Sequence, residues 1–132
     1  MHNIKGHDQI ELCNNTIKEL AVIMDTAFKE NLKKSITITS GYRPFDKGLH
    51  GQGKAFDFTI PYIHVITYAP IAYSVAMKFS RSVLQVTSFG VYEGIDPVDK
   101  EWKTHIHLDI MGKRDFMSVY TGVYKDDRKT RV

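Results

Sequence analysis

The chain has 132 residues, 42% of them hydrophobic, a formal net charge of +3 and a single cysteine. That length suits one domain with one core, the apolar content argues against a disordered chain, and the lone Cys13 excludes an intrachain disulfide framework. No run approaches the ~20 apolar residues of a membrane span.

The mild positive balance permits an anionic partner, such as a cell-wall polymer or a nucleic acid, and demands neither. Residues 1–8 (MHNIKGHD) lack the charged-then-apolar pattern of a signal peptide. This predicts a protein made and kept in a cytosol, or one that leaves by a route other than general secretion.

Residues 9–33 read as an amphipathic helix, with Ile10, Cys13, Ile17, Leu20, Met24, Ala27 and Phe28 recurring at three- and four-residue steps. Asp8 followed by Glu11 makes a capping-box-like start. Asn14, Lys18, Glu19, Asp25 and Lys29 fall largely on the other side, and Cys13 is expected to be buried. Residues 35–39 alternate with period two and are β-branched, which predicts a strand. Residues 41–53 carry four glycines and a proline and form a loop.

A second strand spans 55–60, with Ala55, Asp57 and Thr59 on one face and Phe56, Phe58 and Ile60 on the other. A carboxylate in such company needs a partner if it is buried. Pro61 ends this strand. A helix follows over 62–81, clearest at 70–80, with Pro70 in its first turn, where a missing N–H is harmless. His64, in this apolar run, is expected to be partly buried and hydrogen-bonded.

A third strand covers 84–92, interrupted near Gly90; 93–103 is a loop in which Trp102 either lines a cleft or simply packs; and 104–110 is a fourth strand. A short helix at 115–120 and a frayed tail over 125–131 close the chain. There is no repeat and no linker. The expected fold is α+β in a single domain (1–132): a small antiparallel sheet with an N-terminal helix and a second helix packed on it.

The chemistry concentrates in two places. In the fourth strand, His105, His107 and Asp109 alternate with Ile106, Leu108 and Ile110, so period two puts the polar groups on one face. The aliphatic face must pack on a core, which aims the polar one at a cleft. Upstream, His50 lies in the glycine-rich loop and Asp57 in the strand after it. A catalytic zinc takes three protein ligands and leaves a fourth position open. His50, Asp57 and His107 supply two imidazoles and a carboxylate, and Gly51 and Gly53 let the backbone turn so that these converge. His105, one pleat away, can approach as a proton acceptor without being a ligand, and Asp109 is placed to orient an imidazole.

Ser40-Gly41-Tyr42-Arg43, then His50-x-x-Gly53-x-Ala55-x-Asp57, then His105-x-His107-x-Asp109, in this order, resembles the zinc peptidases that cut peptidoglycan peptides. These are the D-Ala-D-Ala carboxypeptidases and the L-alanyl-D-glutamate endopeptidases, whose metal site is shared with lysostaphin-type enzymes and the hedgehog fold. Gly90-Val91-Tyr92 is similar to a segment seen there, and the likeness covers residues 35–111. It implies a hedgehog/D-Ala-D-Ala peptidase-like fold and one zinc ion on His50, Asp57 and His107. It also implies that Arg43 binds the substrate through its planar fork, and Ser40 and Tyr42 of the same motif are expected to line that substrate site.

The chain departs from the family pattern at two points. Gly48-Leu49 stand where many relatives carry a serine, and Thr104 stands where some carry the acidic base. The base is then His105, as in the His-x-His branch, or Glu101 from the adjacent loop. The resemblance implies a peptidoglycan stem peptide as substrate; no stable nucleic-acid partner is expected beside it, and a monomer is. Small phage-encoded members, which this chain resembles in size, are made in the cytoplasm and act on the host cell wall.

Two other readings stand beside this one. His105-Ile106-His107 is also the metal motif of rolling-circle nucleases, which cut single-stranded DNA with a tyrosine. Tyr120 and Tyr124 have the spacing of two-tyrosine members, and the basic balance would suit DNA. That reading leaves Ser40–Arg43, His50 and Asp57 unexplained. The third reading is a metal-binding structural module without activity.

Overall fold

The computed structural model describes residues 4–80 and 86–112, together with the backbone of 115–120. The fold is α+β, as expected. Helices α1 (Asn15–Leu32) and α2 (Val65–Lys78) pack on a sheet of β1 (Thr37–Ser40), β2 (Ala55–Thr59), β3 (Val86–Ile95), β4 (Trp102–Ile110) and β5 (Asp115–Tyr120). The spatial order is β1-β2-β4-β3-β5. The first four strands pair antiparallel, and β5 adds to β3 in parallel.

β4 is the central strand and its alternation decides the layout. Ile106, Leu108 and Ile110 are fully buried on the helix side with Phe56, Phe58 and Phe89. Phe28 of α1 meets Phe58 of β2 and Tyr68 of α2 edge-on, each at 5.9 Å between ring centres. The opposite face carries the polar groups, in register: Asp57 of β2 opposes His107 of β4, which opposes Gly90 of β3.

Several elements differ from the sequence reading. The N-terminal helix does not start at residue 9. A 3-10 turn, His7–Ile10, comes first, and α1 begins after Asn14, whose side chain accepts from the Thr16 N–H. The break arises because the Asn14 N–H is taken by the Gly53 carbonyl at 2.8 Å. The helix start and the glycine-rich loop that carries His50 are thereby tied together. Asp25, expected on the polar side, is fully buried. It accepts from Ser35 Oγ at 2.7 Å and the Ile36 N–H at 2.9 Å, and pairs with Lys29 at 2.9 Å, so it clips α1 to the segment leading into β1.

Helix α2 begins five residues before Pro70, which is therefore interior. Its absent N–H leaves the Ile66 carbonyl without the usual helical donor. Both residues are solvent-exposed, so water can take that bond. His64 is exposed rather than partly buried; its ring caps the helix, accepting from the Ile66 N–H.

Strand β3 runs unbroken through Gly90 to Ile95. Its irregularity is a bulge between Val86 and Ser88. The expected 93–103 loop is mostly hairpin: Glu93, Gly94 and Ile95 pair with Thr104, Lys103 and Trp102. Lys103 clamps the turn through Asp96 at 2.8 Å and Asp99 at 2.6 Å. Trp102 is exposed and, by alternation, sits on the face opposite His105. Residues 115–120 form a strand, not a helix. Tyr124 and the 125–131 tail lie outside the described residues.

Candidate metal centre

Three buried side chains meet on the polar face: His50, Asp57 and His107, whose ligand atoms all lie within 4.8 Å of one another. His50 Nε2 is 3.4 Å from Asp57 Oδ1, and His107 Nδ1 is 2.9 Å from the same oxygen. With metal–ligand bonds of about 2.0–2.1 Å, a tetrahedral centre keeps its ligand atoms roughly 3.3 Å apart. These spacings fit, and the cluster could hold a metal ion.

Each ligand is oriented by its neighbours. The His50 ring donates from Nδ1 to the Gly41 carbonyl at 2.8 Å, which leaves Nε2 bare and aimed at Asp57. The loop that presents it is closed by Arg43 N–H to His50 O, at 3.1 Å, and by Lys54 N–H to Leu49 O, at 2.9 Å. Gly53 sits at φ 68°, a left-handed conformation that glycine adopts freely, and ends the turn carrying His50. His107 donates from Nε2 to Asp109 Oδ2 at 2.8 Å, so Nδ1 is the nitrogen directed at the centre. A carboxylate behind a ligating imidazole is the usual support of such sites.

The electrostatics follow from this crowding. Burial pushes the Asp57 carboxyl up, but the His50 and His105 charges and the hydrogen bonds of His107 and His50 hold it well below the usual carboxylate range. Burial opposes charge on His107, yet its bonds to Asp109 and Asp57 outweigh that and raise it to about 9. Burial also presses the Asp109 carboxyl up, and His107, Ser88 and Thr87 bring it down overall. His105 is lowered, chiefly by burial and further by His107, His50 and Arg43; Asp57 only partly offsets this.

His105 stands beside the cluster. Its Nε2 is 4.0 Å from Asp57 Oδ2, and its ring stacks on Tyr92 at 4.4 Å and 11°. Arg43 is held by Asp46 at 3.2 Å through Nη2. Its Nε and Nη1 are buried with no hydrogen-bond partner among the described residues.

Ser40 is buried and pairs opposite Asp57, so it is a neighbour of the ligand within the sheet. Tyr42 packs partly against the core. Glu101 is not brought to the site: it lies in the exposed hairpin turn, its carbonyl accepting from Asp96 N–H. Six extended residues separate it from His107, roughly 20 Å along the strand.

Sequence reasoning missed Thr87 and Ser88, whose hydroxyls both bond Asp109, at 2.7 and 2.5 Å. Two adjacent hydroxyls in a predicted strand were the available signal, but strict alternation would have sent one of them to the other face. Compared with known proteins, the chain matches no family model, no curated protein and no solved structure.

Proposed function

We propose that the chain is a metal-dependent hydrolase and, more narrowly, a zinc peptidase acting on peptidoglycan stem peptides at the bacterial wall. One observation carries the reading: two imidazoles and a carboxylate from a loop and two neighbouring strands converge on one point. Two imidazoles plus a carboxylate is a ligand set of catalytic zinc, and when bound zinc supplies Lewis acidity toward a peptide carbonyl and toward water.

The remaining steps fall to this chain's side chains. Arg43, set in the same loop as His50 and held through Nη2 by Asp46, brings a planar fork suited to a substrate carbonyl or carboxylate. His105 accepts the proton of the attacking water and passes it to the departing amine as the C–N bond breaks. Its stacking on Tyr92 fixes the ring for that role. The nuclease reading needs His105 and His107 on one ion. Here Asp57 and His50 accompany His107, and His105 stands outside the cluster.

The test is elemental analysis of the purified protein combined with mass spectrometry of peptidoglycan digests. One zinc per chain and a cleaved stem peptide are expected. His50→Ala and Asp57→Ala should lose the metal. His105→Ala should keep it and lower turnover by ~10²–10⁴, as for loss of an acid–base group. A zinc-loaded protein that leaves every stem peptide intact would refute the substrate, and a fully active His105→Ala would remove the base.

A further inference from the structure

We infer that Thr87 and Ser88 are positioning residues for the metal centre, made so by the β3 bulge: together they lock Asp109, and through it the His107 imidazole that faces the ion. The lock presupposes the metal centre described above.

In a regular strand, consecutive side chains point to opposite faces. Between Val86, opposite Ile110, and Ser88, opposite Asp109, β3 advances two residues while β4 advances one. A bulge of this kind re-aims a side chain, and here it delivers both hydroxyls to one carboxylate. Thr87 Oγ1 donates to Asp109 Oδ1 at 2.7 Å and Ser88 Oγ donates to Oδ2 at 2.5 Å. The carboxylate is held at both oxygens and cannot turn away from His107.

The proton order along this chain has a single direction. The Gly112 backbone N–H can only donate, and it gives to Thr87 Oγ1 at 2.9 Å. Thr87 therefore accepts there and spends its one proton on Asp109. An ionised carboxylate only accepts, so Ser88 and His107 Nε2 must also be donors to it. With Nε2–H held by Asp109, His107 Nδ1 is the nitrogen that faces Asp57 Oδ1 at 2.9 Å, and an ion bound there would take the place of the proton that Nδ1 gives to Asp57. The bulge thus fixes which nitrogen of His107 faces the centre, and does so through Asp109, which is not itself a ligand.

The experiment measures zinc dissociation constants by chelator competition for wild type, Thr87→Val, Ser88→Ala and their double variant. The ¹⁵N spectrum of the zinc-loaded imidazoles is recorded alongside. Loss of such outer support typically weakens binding ~10–100-fold. We expect that range, together with a weakened or averaged His107 Nε2–H signal.

The hydroxyl-retaining variants Thr87→Ser and Ser88→Thr should restore both readouts. If the double variant does not fold, the two single variants carry the same comparison. Affinity within about twofold of wild type, against the ~10–100-fold expected, overturns the lock. So does a lost affinity with an unchanged His107 signal, which would mark a merely structural loss. A wild type that binds zinc no better than Asp57→Ala overturns the metal centre and the lock with it, and is recognisable because wild type itself fails.

Discussion

A single methyl group placed at Gly51 should disable the proposed metal centre without replacing any of the three residues that would hold the ion. A Cβ there would lie 1.9 Å from the Asp46 carbonyl oxygen and 2.8 Å from its carbon. Real Cβ contacts essentially never fall under 3.0 Å, so the two segments must part by at least about 1.1 Å. Asp46 cannot yield alone, because its N–H bonds the Arg43 carbonyl at 3.0 Å and its carboxylate holds both Gly48 N–H and the Arg43 guanidinium. The strain therefore moves either His50 or Arg43. A functional constellation tolerates displacements of about 0.5 Å, roughly half of what the methyl demands.

For Gly51→Ala we expect zinc affinity to fall by at least ~10–100-fold, the range for losing support around a ligand. The metal-free protein should lose only the ~1–3 kcal/mol of an overpacked site. Gly48→Ala is the matched control in the same loop: its nearest neighbour is the Asp46 side-chain oxygen at 3.1 Å, which needs to give by only a few tenths of an ångström. Chelator competition reads the affinity, and urea unfolding of the metal-free protein reads the stability. Gly51→Ala with wild-type zinc affinity, or Gly48→Ala losing as much, would refute the reasoning.

Asp25→Asn should destabilise the fold by about 1–3 kcal/mol at neutral pH, because it weakens buried bonds to a charged acceptor. Burial pushes the Asp25 carboxyl up, but Lys29, Ser35 and Ile36 more than offset this and hold it below 3.8. Its contribution is therefore present above the unfolded value and disappears as pH falls through the lowered folded one. The gap between wild type and Asp25→Asn in urea midpoints should close on acidification, and a gap independent of pH would refute the assignment. Pro70→Ala should raise the melting temperature by returning an N–H to the Ile66 carbonyl, a gain of ~1–3 kcal/mol against interior proline. A lowered melting temperature would show that the helix needs the ring.

The polar face of β4 was legible because period-two alternation is local: Ile106, Leu108 and Ile110 go to the core and carry His105, His107 and Asp109 to the other side. The two helices were legible for the same reason, at helical period. Features set by distant pairing were not. The start of α1 depends on the Gly53 carbonyl, which no pattern in residues 9–33 announces. Burial of Asp25 depends on Ser35 and Ile36 returning to it.

The hairpin outlasts its apparent loop because Ile95 and Trp102 face each other, a fact of register. Residues 115–120 pair with β3 although their composition permits a short helix, an instance of tertiary context overriding local preference. Glu101 looked near His107 only because six residues are few in sequence; in an extended strand they are far in space.

The position of the ligands in the sheet sets how an ion would come and go. Asp57 and His107 sit on β2 and β4, each bonded to neighbouring strands on both sides. Freeing either means unzipping the middle of the sheet, which lies close to global unfolding in free energy. His50 rides on a 3-10 turn held by a few backbone bonds at one end of the loop. Such a segment opens at a fraction of that free energy. Two ligands thus share the lifetime of the fold and the third has the lifetime of a turn. Exchange of a bound ion would be governed by the opening of the segment that carries His50 and Arg43, so release of the metal and release of the proposed substrate anchor would be one event.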